Sequence, residues 1–219
     1  MIDFSNIEAV GFDLDGTLVD SRIAFAKAFY QLIRDWGLEE KPIEKLTPLV
    51  GIHVTELFEH LGVGQHRRNE FFDHLDAIYP GIAESEMSAF EGTQELLQSL
   101  KFAGKKIALI TSNSTQGAKM SLEICGISDA FFDEIITSCN TDNQKPHPEP
   151  ISKALKLFKV EPSRFMYFGD TIADYTSAMA AGVNFKLLTH NEGTEHDEKV
   201  CSSHHIPSIE AIRHYLGKK

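Results

Sequence analysis

The chain predicts an α/β fold, a parallel sheet with helices on both faces and a helical segment inserted after the first strand. Three observations predict it. Strand-sized apolar runs recur through the second half, at Lys106–Thr111, Glu134–Thr137, Arg164–Gly169 and Phe185–Thr189. Stretches with apolar residues every three or four positions separate them, and continuous apolar strands alternating with amphipathic helices signify a sheet buried on both sides. A similar run stands near the N-terminus (Ile7, Ala9, Val10, Phe12), but helical periodicity follows it until the alternation begins near Phe90.

Taken in order, the elements read as follows. Ile23, Ala26, Tyr30, Ile33 and Trp36 share one helical face; so do Val54, Leu57, Phe58 and Leu61, and then Phe71, Phe72, Leu75, Ile78 and Tyr79. Breakers lie between these stripes at Gly37, Pro42, Pro48, Gly51, Gly62 and Gly64. Residues 18–87 are therefore expected to form a helical domain, inside a core domain made of residues 1–17 and 88–219. After Phe90-Glu91-Gly92 come a helix over Glu95–Phe102, the strand at Lys106, a helix from about Ser114 to Cys125 and the strand at Glu134. A helix over Glu149–Phe158, the strand at Arg164, a helix over Ala173–Ala181, the strand at Phe185 and a last helix over Ser208–Leu216 complete the chain.

Composition limits the function classes. With 42% hydrophobic and 24% charged residues, the 219-residue chain has the makings of a folded globular protein rather than a disordered one. No apolar run reaches the length of a membrane span, and the N-terminal stretch lacks the basic start and apolar run of a signal peptide. A cytoplasmic protein is the expectation, monomeric or homodimeric. A net charge of −11, without a Lys/Arg block, argues against binding nucleic acid or an anionic membrane. The three cysteines, Cys125, Cys139 and Cys201, show no CxxC spacing and read as reduced thiols. Of the ten histidines, His196, His204 and His205 read as part of a solvated polar loop.

Four stations carry possible chemistry. Asp13 and Asp15, in FDLDGT, stand at the end of the first strand, where period-two alternation points both side chains the same way. Two close carboxylates repel, so the pair is costly unless a cation or a reacting group uses it; an acidic turn capping a helix at Asp20 or Ser21 is the plainer alternative. Thr111 ends the second strand, and Ser112-Asn113-Ser114 opens a helix with side-chain and backbone donors suited to a phosphate, or to an ordinary N-cap. Lys145, in QKPHPEP, is a cation held in a proline-stiffened loop. Asp170 and Asp174, in GDTIADY, offer hard oxygen ligands suited to Mg²⁺, or complement a helix dipole.

DxDGT after an apolar strand, a strand-end threonine, KPxPxP, and GDxxxD followed by AxxAG (Ala178–Gly182) resemble, in this order, the four motifs of the haloacid dehalogenase-like superfamily. The resemblance covers essentially the whole chain and is closest to C1-capped, phosphoglycolate phosphatase-like members. It implies a strand order of 5-4-1-2-3 in a Rossmann-like core and a helical cap over 18–87. It further implies a Mg²⁺-dependent phosphatase acting on a small phosphorylated metabolite. Asp13 is then the nucleophile, Asp15 the general acid and base, and Thr111, Ser112, Asn113 and Lys145 the phosphate-binding group. Asp13, the Asp15 carbonyl, Asp170 and, through water or at one remove, Asp174 serve the metal. A β-phosphoglucomutase-like phosphotransferase shares these stations, and a non-catalytic phosphate-ligand-binding protein is the alternative of another class. His53, in the helical segment, is a candidate substrate contact, whereas Arg67 and Arg68 read as solvated. The chain departs from its relatives at Phe90-Glu91-Gly92 and in the stretch after Thr189.

Overall fold

The structure, a computed structural model, describes residues 4–50, 54–190, 200 and 202–216. The chain divides into two compact units, one of Met1–Val19 with Ala89–Lys219 and one of Asp20–Ser88. Two short strands, Val19–Asp20 and Ser88–Ala89, pair where the chain passes from one unit to the other and back.

The first unit is built on six strands: β1 (Ala9–Phe12), β2 (Lys106–Ile110), β3 (Glu134–Ile136), β4 (Phe165–Gly169), β5 (Asn184–Leu188) and β6 (His205–Ile206). They hydrogen-bond in the order β3-β2-β1-β4-β5-β6, every pair parallel. The expected order is found, with one addition. A two-residue strand, β6, extends the edge beside β5, where the sequence suggested a polar loop. His205 lies in it, and His204 just before it meets the Phe185 carbonyl through Nδ1 at 3.0 Å. So short an edge strand leaves no periodicity to read.

Both sheet faces are buried, which is why the strands read as unbroken apolar runs. Ala9, Ala108, Ile110, Phe165 and Tyr167 belong to one cluster with Ile151, Ala154 and Phe158 of helix α7 (Glu149–Phe158) and Ala178 of α8 (Ile172–Ala181). The alternate residues Val10, Phe12, Ile107, Leu109, Met166 and Phe168 are equally inaccessible and point the other way. Helices α5 (Thr93–Phe102) and α9 (Ile209–Leu216) pack on each other, and α5 also packs on β2. Helix α6 (Thr115–Ile124) begins behind β2, its N-cap Ser114 accepting from the Gly117 N–H at 3.1 Å.

The second unit contains α1 (Arg22–Asp35), α2 (Ile43–Leu46), α3 (Val54–Leu61) and α4 (Arg68–Glu86). Helix α1 lies along α4, and aromatic rings fill the space between elements: Phe25 stacks on Tyr79 at 4.2 Å and Phe58 meets Phe71 at 4.8 Å. The α3 and α4 stripes are those legible in the sequence, and packing accounts for them; on α1 the buried face instead runs through Ala24, Ala28, Phe29 and Leu32 along with Ala26 and Ile33, and Ile23 is exposed. Arg67 is less solvated than its sequence position suggested, because its guanidinium lies 3.6 Å over Trp36 and pairs with Glu70 at 2.7 Å. Among the described residues no helix is long and apolar enough to cross a membrane.

Candidate active site

Parallel strands put all their C-terminal ends on one side of the sheet, and register decides which ends meet there. Phe12 is level with Leu109 on one neighbour and Phe168 on the other. Asp13, one residue on, and Thr111 and Asp170, two residues past those partners, consequently emerge together at three adjacent tips. The Asp13 N–H still donates to the Phe168 carbonyl at 2.9 Å, and the Thr111 N–H to that of Ile136 at 2.9 Å. At Asp13 and Thr111 the ladder hydrogen bonds therefore extend one residue past the named strands and fix both backbones to the sheet.

Lys145 enters this group from the loop before α7. Its side chain is almost wholly buried, with Nζ donating to Asp13 Oδ1 at 2.7 Å, Asp174 Oδ1 at 2.6 Å and the Tyr167 hydroxyl at 3.2 Å. Its loop is fastened by Glu149, whose carboxylate accepts from the Asp142 N–H, the Asn143 N–H and Asn143 Nδ2 at 2.8, 2.9 and 2.8 Å. Those donors hold the Glu149 carboxyl below its ordinary range.

Asp174 is completely buried, and four donors converge on it. Lys145 and the Tyr167 hydroxyl (2.8 Å) reach Oδ1, while the Thr171 N–H (3.1 Å) and hydroxyl (2.6 Å) reach Oδ2. Thr171 is also the N-cap of α8, so one capping box both starts the helix and orients the carboxylate. Burial pushes the Asp174 carboxyl up, but the Lys145 charge and the donated hydrogen bonds outweigh it and hold it below the ordinary value. Asp13 is different. Its desolvation exceeds the help from Lys145, and the charges of Asp174 and Asp15 add to it, so its carboxyl is pushed up to about 7. Burial and the Asp13 and Asp174 charges likewise raise Asp170 well above its ordinary value. For Lys145, burial favours the neutral amine, yet the carboxylates of Asp13 and Asp174 prevail and keep it protonated.

Glycine makes this crowding possible at two points. Gly16 has φ +79°, and a Cβ there would stand 2.0 Å from Asp170 Oδ2; a Cβ on Gly169 would stand 2.4 Å from Asp174 Cγ. One oxygen from each of Asp13, Asp170 and Asp174 lies within 4.8 Å of the other two. Asp15 is held separately, its Oδ2 accepting from Asn113 Nδ2 at 2.7 Å, while the Asn113 N–H donates to Thr111 Oγ1 at 3.1 Å. Two buried carboxylates and a half-buried third answered by one lysine are short of positive charge, and their donors are hard oxygens. Both facts suit a small divalent cation.

The family model described as haloacid dehalogenase-like hydrolase matches residues 10–188. The chain belongs to that family. As a haloacid dehalogenase-like hydrolase it is an enzyme, and curated relatives share much of its length. The pyrophosphatase PpaX of Bacillus cereus is 27% identical over 176 residues, which is 80% of this chain and 80% of that protein. Two solved structures have the same fold. A predicted phosphoglycolate phosphatase from Haemophilus somnus superposes with TM-score 0.82 at 22% identity, over 96% of this chain and 98% of its own. A Lactobacillus plantarum protein assigned to the same activity gives TM-score 0.84 at 19% identity, over 95% of this chain and 99% of its own.

Of the residues singled out in this hydrolase's sequence, the structure brings Asp13, Lys145, Asp170 and Asp174 into one network and places Asp15, Thr111 and Asn113 beside each other. Ser112 is exposed at the same strand tip. His53 and His196 lie outside the described residues. Sequence reasoning missed Tyr167, Thr171 and Glu149. Tyr167 stands inside an apolar strand and looks like core; its hydroxyl, between Asp174 and the Ile110 carbonyl at 3.3 Å, is visible only in three dimensions. Thr171, in contrast, was readable as an N-cap three residues before an acid.

Proposed function

We propose that this hydrolase is a Mg²⁺-dependent phosphatase that removes a phosphoryl group from a small phosphorylated metabolite through an aspartyl-phosphate on Asp13. The observation that carries the proposal is the joint placement of Asp13 under Lys145, with Asp15 held apart by Asn113 at the same strand tips. The Asp13 carboxylate attacks phosphorus, a P–O bond forms, and the bond to the leaving oxygen breaks. Asp15 gives that oxygen its proton. In the second half Asp15 takes a proton from water, the hydroxide adds to the same phosphorus, and Asp13 departs as carboxylate with release of phosphate. Lys145 offsets the repulsion between the carboxylates and the incoming phosphate, and Thr111, Ser112 and Asn113 offer donors to its oxygens.

Asp13 and Asp170, with the Asp15 carbonyl, would hold the metal, whose chemistry is to neutralise phosphate charge. Asp174, saturated by its four donors, serves by keeping Lys145 and α8 in place rather than as a direct ligand. The separate helical unit inserted between Asp15 and the rest of the core supports reading residues 18–87 as a cap domain, and with it a small-molecule substrate. Phosphoglycolate and pyrophosphate head the candidates, since relatives and neighbours carry those names.

Purified protein assayed with p-nitrophenyl phosphate, with and without Mg²⁺, tests the activity; a panel of phosphorylated metabolites then ranks substrates. Absence of phosphate release under every metal condition would remove the proposal. Transfer to a sugar hydroxyl in place of water would make the enzyme a phosphotransferase.

A further inference from the structure

We propose that His190 is a positioning residue for the Asp170 carboxylate, acting through Thr17 and braced by Phe90, and that it thereby sets the affinity for the divalent cation. The inference rests on the metal-binding part of the function proposed above.

His190 lies two residues past the end of β5 and has φ +49°, a left-handed backbone that residues with a Cβ rarely adopt unless their surroundings hold them there. What holds it is visible. The imidazole lies flat on the Phe90 ring, with centroids 3.4 Å apart and planes 8° from parallel. Its Nε2 stands 3.2 Å from the Thr17 carbonyl oxygen, which can only accept, so Nε2 carries the hydrogen. Thr17, wholly buried, donates its hydroxyl to Asp170 Oδ1 at 3.1 Å.

The same short segment is fastened from a second side. The Leu18 carbonyl accepts from the Phe90 N–H at 3.0 Å and from Thr93 Oγ1 at 3.1 Å. Phe90 thus supports the ring of His190 while tying itself to the residue next to the one His190 holds. Gly16, on the other side of Thr17, has no spare room, because a Cβ there would overlap Asp170 Oδ2. A small displacement of Gly16–Leu18 would therefore move the Thr17 hydroxyl and press the backbone on the carboxylate together. His190 opposes that displacement. A role confined to ending β5 would need neither the flat stack nor the N–H aimed at Thr17.

Calorimetry of Mg²⁺ binding without substrate, alongside melting temperatures in EDTA, tests the idea. His190→Phe keeps a flat ring against Phe90 and deletes the N–H, whereas His190→Gln keeps an N–H donor. We expect His190→Phe to raise the Mg²⁺ Kd about fivefold to tenfold, at the low end of what altering groups behind metal ligands costs because His190 acts through Thr17, and His190→Gln to stay within about twofold. Thr17→Val should give a loss of similar size, and adding His190→Phe to it should change little further. Wild-type binding matched by both single variants, or losses that add in full, would overturn this inference alone. A wild-type protein that takes up no divalent cation would overturn the proposed function and this inference with it.

Discussion

Lys145 is the residue on which the electrostatics of the site turn. It touches two carboxylates whose environments differ: the charge of Lys145 and the donated hydrogen bonds hold Asp174 below its ordinary value, whereas burial pushes Asp13 up to about 7. Asymmetry of this kind gives chemically identical groups separate roles. Asp13→Asn should leave the fold intact, since the amide still accepts from Lys145, while turnover falls by several orders of magnitude with loss of the attacking group. Steady-state kinetics on the best substrate, with circular dichroism as the control for folding, would check it. Retention of more than about a tenth of the rate would take Asp13 out of the nucleophile role. At this scale Asp13, Asp15, Lys145 and Asp170 were legible because their spacing and residue types are chemically distinctive. Tyr167 was not, because a tyrosine in an apolar strand looks the same whether its hydroxyl meets a carboxylate or only a carbonyl.

Among the elements, α8 shows how a capping rule and a site become one structure. Its N-cap threonine binds Asp174 at both backbone and side chain, so the helix start and the carboxylate orientation are not separable. Thr171→Ala should lower stability by about 1 kcal/mol, the usual loss for a missing N-cap, and should also lower kcat, because Asp174 loses one of the groups that keep it under Lys145. Urea denaturation and turnover measured on the same preparation test this; a loss of stability with kcat unchanged would show that the cap serves the helix alone. The proline-bearing loop before α7 works alike, with Glu149 in the first turn folding the loop back by three hydrogen bonds. The sequence made the helices readable through their apolar period. It did not reveal that two helix beginnings also hold the side chains of the site, since that depends on where the preceding strand or loop ends.

For the whole molecule, an acidic protein that is to accept an anionic substrate needs positive charge at one place rather than over its surface. Activity should accordingly require Mg²⁺, with Mn²⁺ or Co²⁺ as substitutes, and excess Ca²⁺ should inhibit, because calcium prefers more ligands and longer bonds. Full turnover after metal removal and in EDTA would count against Asp13 and Asp170 as ligands together. Stability should show the same linkage. In metal-free protein Asp13 keeps a proton up to about 7 that the unfolded chain releases near its ordinary value of 3.8. Within that window native protein binds more protons than unfolded, so the Asp13 contribution to stability falls as pH rises. Asp174 and Lys145, shifted down and up respectively, act outside it, at more acid and more alkaline pH. Mg²⁺ needs the ionised carboxylate and competes with that proton. The gain in melting temperature at a fixed Mg²⁺ concentration should therefore grow from pH 5 to pH 8. A gain constant over that range would contradict the buried, proton-competing site.

The sequence by itself determined the fold class, the alternation of core elements, and the motif residues that the structure gathers at the strand tips. It could do so because these depend on local period and on residue types that chemistry makes hard to replace. Only the tertiary structure decided the rest. The added edge strand at His205 depends on a neighbour's free hydrogen-bonding edge, not on its own two residues. The division of labour among Asp13, Asp170 and Asp174 depends on how many donors reach each buried oxygen, and those donors come from Lys145, Tyr167, Thr171 and Thr17, far apart in the chain. The stacking of His190 on Phe90 joins residues that are 100 positions apart and have no common pattern. Local order follows from what a segment prefers; charge balance and contact follow from what the fold brings beside it.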